Sequence, residues 1–366
     1  MTDESLKILY VGPDYLGSNG TCWRDALVQL GHKVFTLDSE RILQYPTTLL
    51  GKAWSRLRRR PTSSSIRALN DNVVRRVVEI RPHLTFYIQA RFIFPETLER
   101  TRALGLNCAY MNDDMFNSAN QTFTFFSCLP SIDYIFSTKS YNVSEFLKAG
   151  APNAAYVPNA FDPAIHYPAQ PSLAELHRYA GDMAFIGTFR PERADYLASL
   201  CESMAGKAVM RIWGGGWHKM QRPIYWRRRH RWRSLDDRVE CRELWGPEMG
   251  KAIQSNKVSL GLLNHANRDL HTSRTFEIPA CGGFMLAERT GEHLEFFEED
   301  REAVYFSSID ELKAKLHFYL KADSARVRIA RAGFERCIKS GYQYTDRARA
   351  VLSLLRPSLG RKASTA

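Results

Sequence analysis

The chain has 366 residues, 44% hydrophobic and 25% charged, longer than one hydrophobic core usually supports and ordinary in composition for a folded protein. No apolar run approaches the ~18 residues that span a bilayer, so a membrane-embedded bundle is excluded. Lysine and arginine total 51 against 39 acidic residues, a formal charge of +12, and this predicts an anionic partner: nucleotide phosphates, acidic lipid or nucleic acid.

Residues 6–12 (L-K-I-L-Y-V-G) read as a short buried strand. A helix pattern over 22–30 follows, stopped by Gly31, and then a strand over 32–38. Strand, glycine loop, helix and strand in that order predict a right-handed parallel unit. The alternation continues with a helix over 66–80, a strand over 83–88, a helix near 95–104 and a strand over 106–111. A strand over 132–137, a helix near 140–149 and a strand over 154–157 complete a first doubly wound domain. Residues 157–171 carry four prolines and no period, as a connection would. The pattern restarts with strands over 182–189, 208–216, 257–264, 283–288 and 303–306, and helices from 193, over 248–255 and over 273–280. Three helical patterns, over 309–321, 323–338 and 344–355, close the chain. The expected fold is α/β, two doubly wound domains facing a cleft. The domains are set at 1–165 and 166–341, with 342–366 a helix returning to the first domain and a tail.

The N-terminus runs directly into a strand pattern, without a basic leader and cleavage site, so no export signal is expected. Seven scattered cysteines form no C-x-x-C pair, and reduced thiols in the cytoplasm are the reading. Two arginine clusters stand out. One is Arg56, Arg58, Arg59 and Arg60. The other is Arg222, Arg227, Arg228, Arg229, Arg231 and Arg233, interleaved with Tyr225, Trp226 and Trp232. They read either as solvated surface loops or as attachment to an anionic membrane surface, where Trp and Tyr beside Arg suit the headgroups. No nucleic-acid module surrounds them, and no nucleic acid is expected.

Ligands of open parallel sheets bind beyond the carboxyl ends of strands, where the strand order reverses. Four post-strand loops therefore matter. Gly12 to Gly20 holds three glycines, but its spacing is not the G-x-G-x-x-G of dinucleotide sites. Asn112, Asp113 and Asp114 supply either a general base or a turn cap. Gly187 to Arg193, with Arg190 and Arg193 at a helix start, suits a diphosphate. In 269–283, Arg274 and the hydroxyls of Thr272, Ser273 and Thr275 would face phosphate. Asp269 and Glu277 are carboxylates able to accept ribose hydroxyls, and Gly282 and Gly283 permit close approach of helix and strand.

The stretches T-S-R-T-F-E-I-P-A-C-G-G-F-M-L (272–286), E-H-L-E-F-F-E-E-D-R-E-A-V-Y-F (292–306) and Y-Q-Y-T-D-R-A (342–348) resemble the bacterial GT-B glycosyltransferases of the spore-maturation CgeB-like group. D-M-A-F-I-G-T-F-R-P-E-R and V-P-N-A-F-D are similar to that group's first C-domain strand and inter-domain join. The resemblance implies a transferase moving a sugar from a nucleotide-sugar donor, UDP by default, without metal or other cofactor. It places Asp269 and Glu277 at the ends of an E-x7-E-like pattern, Glu277 on the donor ribose and Asp269 towards the sugar. Arg190 or Arg193 would grip the diphosphate, and Gly187, Asn264, Thr272, Arg274, Thr275, Gly282 and Gly283 would complete the donor site. The acceptor, a carbohydrate, lipid-linked or protein molecule, would enter past Asp14, Tyr15 and Gly17, with Asp113 or Asp114 as base. Two alternatives keep the architecture: a sugar-nucleotide epimerase, or a degenerate transferase acting as a nucleotide- or membrane-surface-binding module. The expected location is cytoplasmic, with peripheral contact at the inner membrane surface.

Overall fold

The computed structural model describes residues 5–46 and 60–363, the side chains of 361–363 excepted. The chain forms two compact units, residues 1–158 with 344–366, and residues 159–343.

The first unit is built on six parallel strands: β1 (Lys7–Gly12), β2 (Lys33–Asp38), β3 (Leu84–Ile88), β4 (Leu106–Met111), β5 (Tyr134–Ser137) and β6 (Ala154–Tyr156). Their order is β2-β1-β3-β4-β5-β6, so the sheet reverses between β1 and β3, with Val11 opposite Tyr87 and Gly12 opposite Asp38. Helices cover both faces, and a central strand such as β4 is therefore buried along its whole length, matching its unbroken apolar sequence. The helix Ser63–Ile80 shows the complementary period. It buries Ile66, Leu69, Val73 and Val77, is capped by Thr62 and ends at a left-handed Arg81. The closing helix Tyr344–Ala363 packs in this unit, where Tyr344 meets Trp23 edge-on and Ser358 hydrogen-bonds Tyr134.

The second unit has β7 (Gly181–Ile186), β8 (Met210–Trp213), β9 (Val239–Glu240), β10 (Asn256–Gly261), β11 (Met285–Glu288) and β12 (Val304–Phe306). The order β12-β11-β10-β7-β8-β9 reverses between β7 and β10. Met183, Phe185, Ile212, Val258, Leu260, Leu286 and Val304 form its core. This unit begins at Asn159, earlier than the expected 166. The reason is local: the Asn159 amide donates to His271, the Phe161 amide donates to Tyr342, and His166 faces Glu277. Among the described residues no helix is long and apolar enough to cross a membrane.

Candidate functional site

Each sheet carries a cavity at its reversal point. In the second unit β7 runs into Gly187, whose amide donates to the Trp213 carbonyl and whose carbonyl accepts from Trp217 Nε1 at 2.9 Å. A Cβ on Gly187 would lie 2.7 Å from the Phe185 ring, and one on Gly214 would lie 2.0 Å from the Gly187 oxygen. Glycine at both positions lets the loops after β7 and β8 pass in contact. Beside them opens a cavity of about 170 Å³ lined by Gly187, Thr188, Arg193, Leu262, Thr272, Ser273 and Arg274.

Two guanidinium groups in its wall are fixed by backbone oxygens. Arg193, on the helix Pro191–Ser203, donates to the carbonyls of Leu262 (2.9 Å), Leu263 (3.1 Å) and Thr188 (3.2 Å). It makes no carboxylate ion pair among the described residues. Burial pulls its pKa down to about 10, with Asp269 opposing, so it remains charged at neutral pH. Arg274 donates to the Ile186 carbonyl at 3.0 Å and pairs with Glu277. The cavity therefore presents one compensated and one uncompensated cation beside three hydroxyls, a set suited to phosphate oxygens.

Several residues expected to face a donor are turned to other uses. Glu277 is buried behind the cavity and does not line it. One of its oxygens takes Arg274, and the other lies 3.6 Å from His166 Nε2. Burial opposes ionisation of Glu277, but Arg274 and His166 outweigh it and hold the carboxyl below its usual range. His166 Nδ1 accepts the Asp162 amide, so its proton sits on Nε2 towards Glu277. Burial keeps that imidazole neutral by pushing its pKa down. Asp269 is buried and accepts the Asn264 amide at 3.2 Å, closing a turn that includes buried Asn264 and left-handed Arg268. Thr275 gives its hydroxyl to His293 Nε2 (2.8 Å) and accepts the Thr272 amide. Gly282 and Gly283 precede β11, at the end of the parallel sheet opposite the cavity. A Cβ on Gly283 would lie 2.3 Å from Ile253, so these glycines serve helix packing. Arg190 is exposed at the start of its helix, outside the cavity lining.

The first unit's cavity is larger, about 590 Å³, and lies past β1 and β3. Tyr15, Ser18, Glu40, Tyr45, Gln89, Arg91 and Asn112 are among its walls. Gly12 and Gly20 make room for the Tyr10 hydroxyl, which holds the Pro13 carbonyl at 2.7 Å, and Gly17 takes a left-handed turn. Asp14 is paired with Arg24 and lies outside the lining. The loop after β3 is unusual: Gln89, Ala90 and Phe92 all have φ between 47° and 63°. Left-handed backbone at three non-glycine residues persists only where the surroundings impose it. Buried Asn70 holds the end of this loop, donating to the Phe92 carbonyl (2.9 Å) and accepting the Phe94 amide (2.7 Å). Gln89 bridges Asn112 and Asp113, and Arg91 meets Asp113 at 3.2 Å. Asp114 is a different residue altogether. It is buried, accepting the Phe116 amide and Asn142, and its role is to fix a turn.

Residues 193–353 match the model of the glycosyl transferase-like family. HepE of Anabaena, solved with UDP and glucose, is similar over 96% of this chain and 100% of that chain, at 12% identity and a TM-score of 0.63. A sucrose-phosphate synthase of Thermosynechococcus elongatus is similar over 97% and 100%, at 11% identity and a TM-score of 0.66. A glycosyltransferase of Rickettsia africae is similar over 97% and 98%, at 10% identity and a TM-score of 0.64. No curated protein matches the chain well enough to count as a relative. The chain has the GT-B fold, and its match to the glycosyl transferase-like family lies mostly in the second unit.

In this chain the helix Trp226–Trp232 replaces the solvated loop that the arginine run suggested, with Trp232 buried against Phe189 and Tyr225. Of the other cluster only Arg60 is described, its guanidinium 3.9 Å from the centre of the Phe123 ring, and Arg56, Arg58 and Arg59 lie outside the described residues. The site residues that sequence reasoning missed are Asn70, Gln89, His166, and the buried pair of His271 with Glu292. Each acts on a partner more than twenty residues away, and no local pattern announces them.

Proposed function

We propose that this chain is a glycosyltransferase that moves a sugar from a nucleotide-sugar donor, UDP-linked by preference, to a carbohydrate, lipid-linked or protein acceptor, without a resident metal. The observation that carries this reading is the pair Arg193 and Arg274 in the wall of the cavity at the β7/β10 reversal. The barrier to transfer is departure of a nucleoside diphosphate. Guanidinium groups already fixed by the carbonyls of Ile186, Leu262 and Leu263 stabilise that developing charge without reorganising. Thr188, Thr272 and Ser273 add hydroxyl donors. Glu277 acts through Arg274, holding it in place. The preference for UDP is supported by the binding of UDP and UDP-glucose in HepE. The acceptor is assigned to the cavity past β1 and β3, with Asp113 as the general base: it is partly exposed and adjoins Asn112 in the wall. The stretch 272–286 supports membership of the CgeB-like group, and a cytoplasmic location accords with its reduced, mostly buried thiols.

The test is thermal unfolding with UDP, ADP and GDP in the presence of a chelator, followed by nucleoside diphosphate release from sugar donors over an acceptor panel. UDP should raise the unfolding temperature of the native chain and raise that of Arg193→Ala much less. Stabilisation by no nucleotide, or only after divalent metal is restored, would sink the donor assignment or its metal-free form respectively.

A further inference from the structure

Residues 217–235, between β8 and β9, hold Lys219, Arg222, Arg227, Arg228, Arg229, Arg231 and Arg233 and no acidic residue. The helix Trp226–Trp232 within them is two-sided. At about 100° per residue, Arg228, Arg229 and Trp232 share one arc, and Trp226, Arg227, His230 and Arg231 share the other. The first arc is stapled down: Trp232 donates to Asp195 at 2.8 Å, Arg228 meets Asp195 at 3.1 Å, and Arg229 meets Asp236 at 2.7 Å. The second arc is exposed throughout, and just before it Ile224 is exposed as well. Trp226 and Ile224 are 70% and 79% exposed, while the segment's other aromatic rings, Trp217, Tyr225 and Trp232, turn into the core. Lys219, Arg222, Arg227, Arg231 and Arg233 are exposed and make no ion pair among the described residues. Folding has thus used two arginines to hold the helix and left the remaining cations around two bulky apolar side chains.

We infer that this face docks on an anionic lipid bilayer, with Trp226 and Ile224 entering the interface and the free cations meeting headgroup phosphates. Indole and guanidinium together suit the headgroup level, where a ring has an apolar body and a polar edge. Each cation near an acidic surface adds to the attraction, which decays within a Debye length. A single-stranded nucleic acid would be favoured by several outward aromatic rings along a basic groove. Here one ring faces out, and its apolar neighbour is an aliphatic side chain with nothing to stack.

Sedimentation of the full chain with vesicles decides the matter. Phosphatidylcholine vesicles containing phosphatidylglycerol should carry the protein down at low salt and release it at high salt, and phosphatidylcholine alone should not bind it. Arg227→Ala with Arg231→Ala should weaken binding roughly 30-fold. Ile224→Ser with Trp226→Ser should also weaken it, while the unfolding temperature and its increase with UDP stay at native values. Absence of vesicle binding, equal binding to both lipid compositions, or full binding by either double variant would overturn the inference. So would single-stranded RNA that binds more tightly than vesicles and is lost with the arginines but not with Trp226 and Ile224. Failure of UDP to stabilise any form would count against the donor reading and leave this one standing.

Discussion

Past the carboxyl end of β7, Arg193 makes no carboxylate ion pair among the described residues, and backbone carbonyls fix its fork in a cavity of about 170 Å³. At the corresponding place past β3, Arg91 is matched by Asp113 in a cavity of about 590 Å³, bounded by tyrosines, amides and a strained loop. The first arrangement suits one invariant, compact anion. The second suits a neutral or mixed surface of larger size, oriented by planar polar groups and aromatic rings. Two sheets of the same topological class thus differ in what their post-strand loops leave charged.

The largest effect that should separate the units is acid sensitivity. Burial pushes His293 down to about 4 in the folded chain, against about 6.5 when unfolded. Above 6.5 the imidazole is neutral in both states and its contribution is complete. As the pH falls from 6.5 towards 4, the unfolded chain binds the proton first, so stability is lost across that window, by about 3 kcal/mol. Both histidines held down by burial, His166 and His293, belong to the second unit. Amide exchange at pH 7 and pH 5 should therefore show protection falling around β7, β10 and β11 more than around β1 and β3. Equal loss in both units would break the contrast.

Removing Glu277 should come next. Glu277→Ala leaves Arg274 without its carboxylate and His166 without its neighbour, at a cost of about 2 to 3 kcal/mol. Denaturant unfolding measures it. If Glu277 acts by holding Arg274, Glu277→Gln should lower kcat and leave the KM for donors with a 2′-deoxyribose and with ribose affected alike. A selective loss on ribose donors would return Glu277 to the sugar of the nucleotide.

Arg193→Ala should weaken UDP binding by about 2 kcal/mol, roughly 30-fold, because a charge-assisted fork to phosphate disappears. Calorimetry on the same nucleotide with Asp113→Asn should return the native affinity, since Asp113 belongs to the other cavity. A comparable loss in both variants would mean that the two cavities do not divide the substrates as argued.

The sheets were legible in the sequence because buried parallel strands are short apolar runs closed by glycine or polar residues, and β1, β4, β7 and β10 all follow that rule. β9 was not, since two residues carry no period. The helix Leu173–Tyr179 was not, since it buries only Tyr179. Within the candidate site, Arg193 and Arg274 stood out by charge at a helix start. Nothing in D-D distinguished Asp113 from Asp114, because the choice depends on Gln89 on one side and Asn142 on the other. The strained loop was silent for a physical reason. Q-A-R-F contains no glycine or asparagine, the residues that ordinarily announce left-handed backbone, and the side chain that holds the loop's end, Asn70, lies on the distant helix Ser63–Ile80.

That loop gives the smallest and most discriminating prediction. Ala90 holds φ at +47°, which costs an L-residue about 1 kcal/mol and costs glycine almost nothing. Glycine also loosens the unfolded chain by about 0.4 to 1 kcal/mol. Ala90→Gly should therefore leave the unfolding midpoint within about 0.5 kcal/mol of native, far less than any change above. Its kinetic effect should be larger than its thermodynamic one. With the backbone at Ala90 freed, Gln89 and Arg91 are no longer held against Asp113, and the wall of the first cavity loses its fixed shape. The KM for acceptor should rise while the KM for donor and the affinity for UDP stay native. If both KM values rise together, the strain serves the whole enzyme, and assigning the first cavity to the acceptor loses its support.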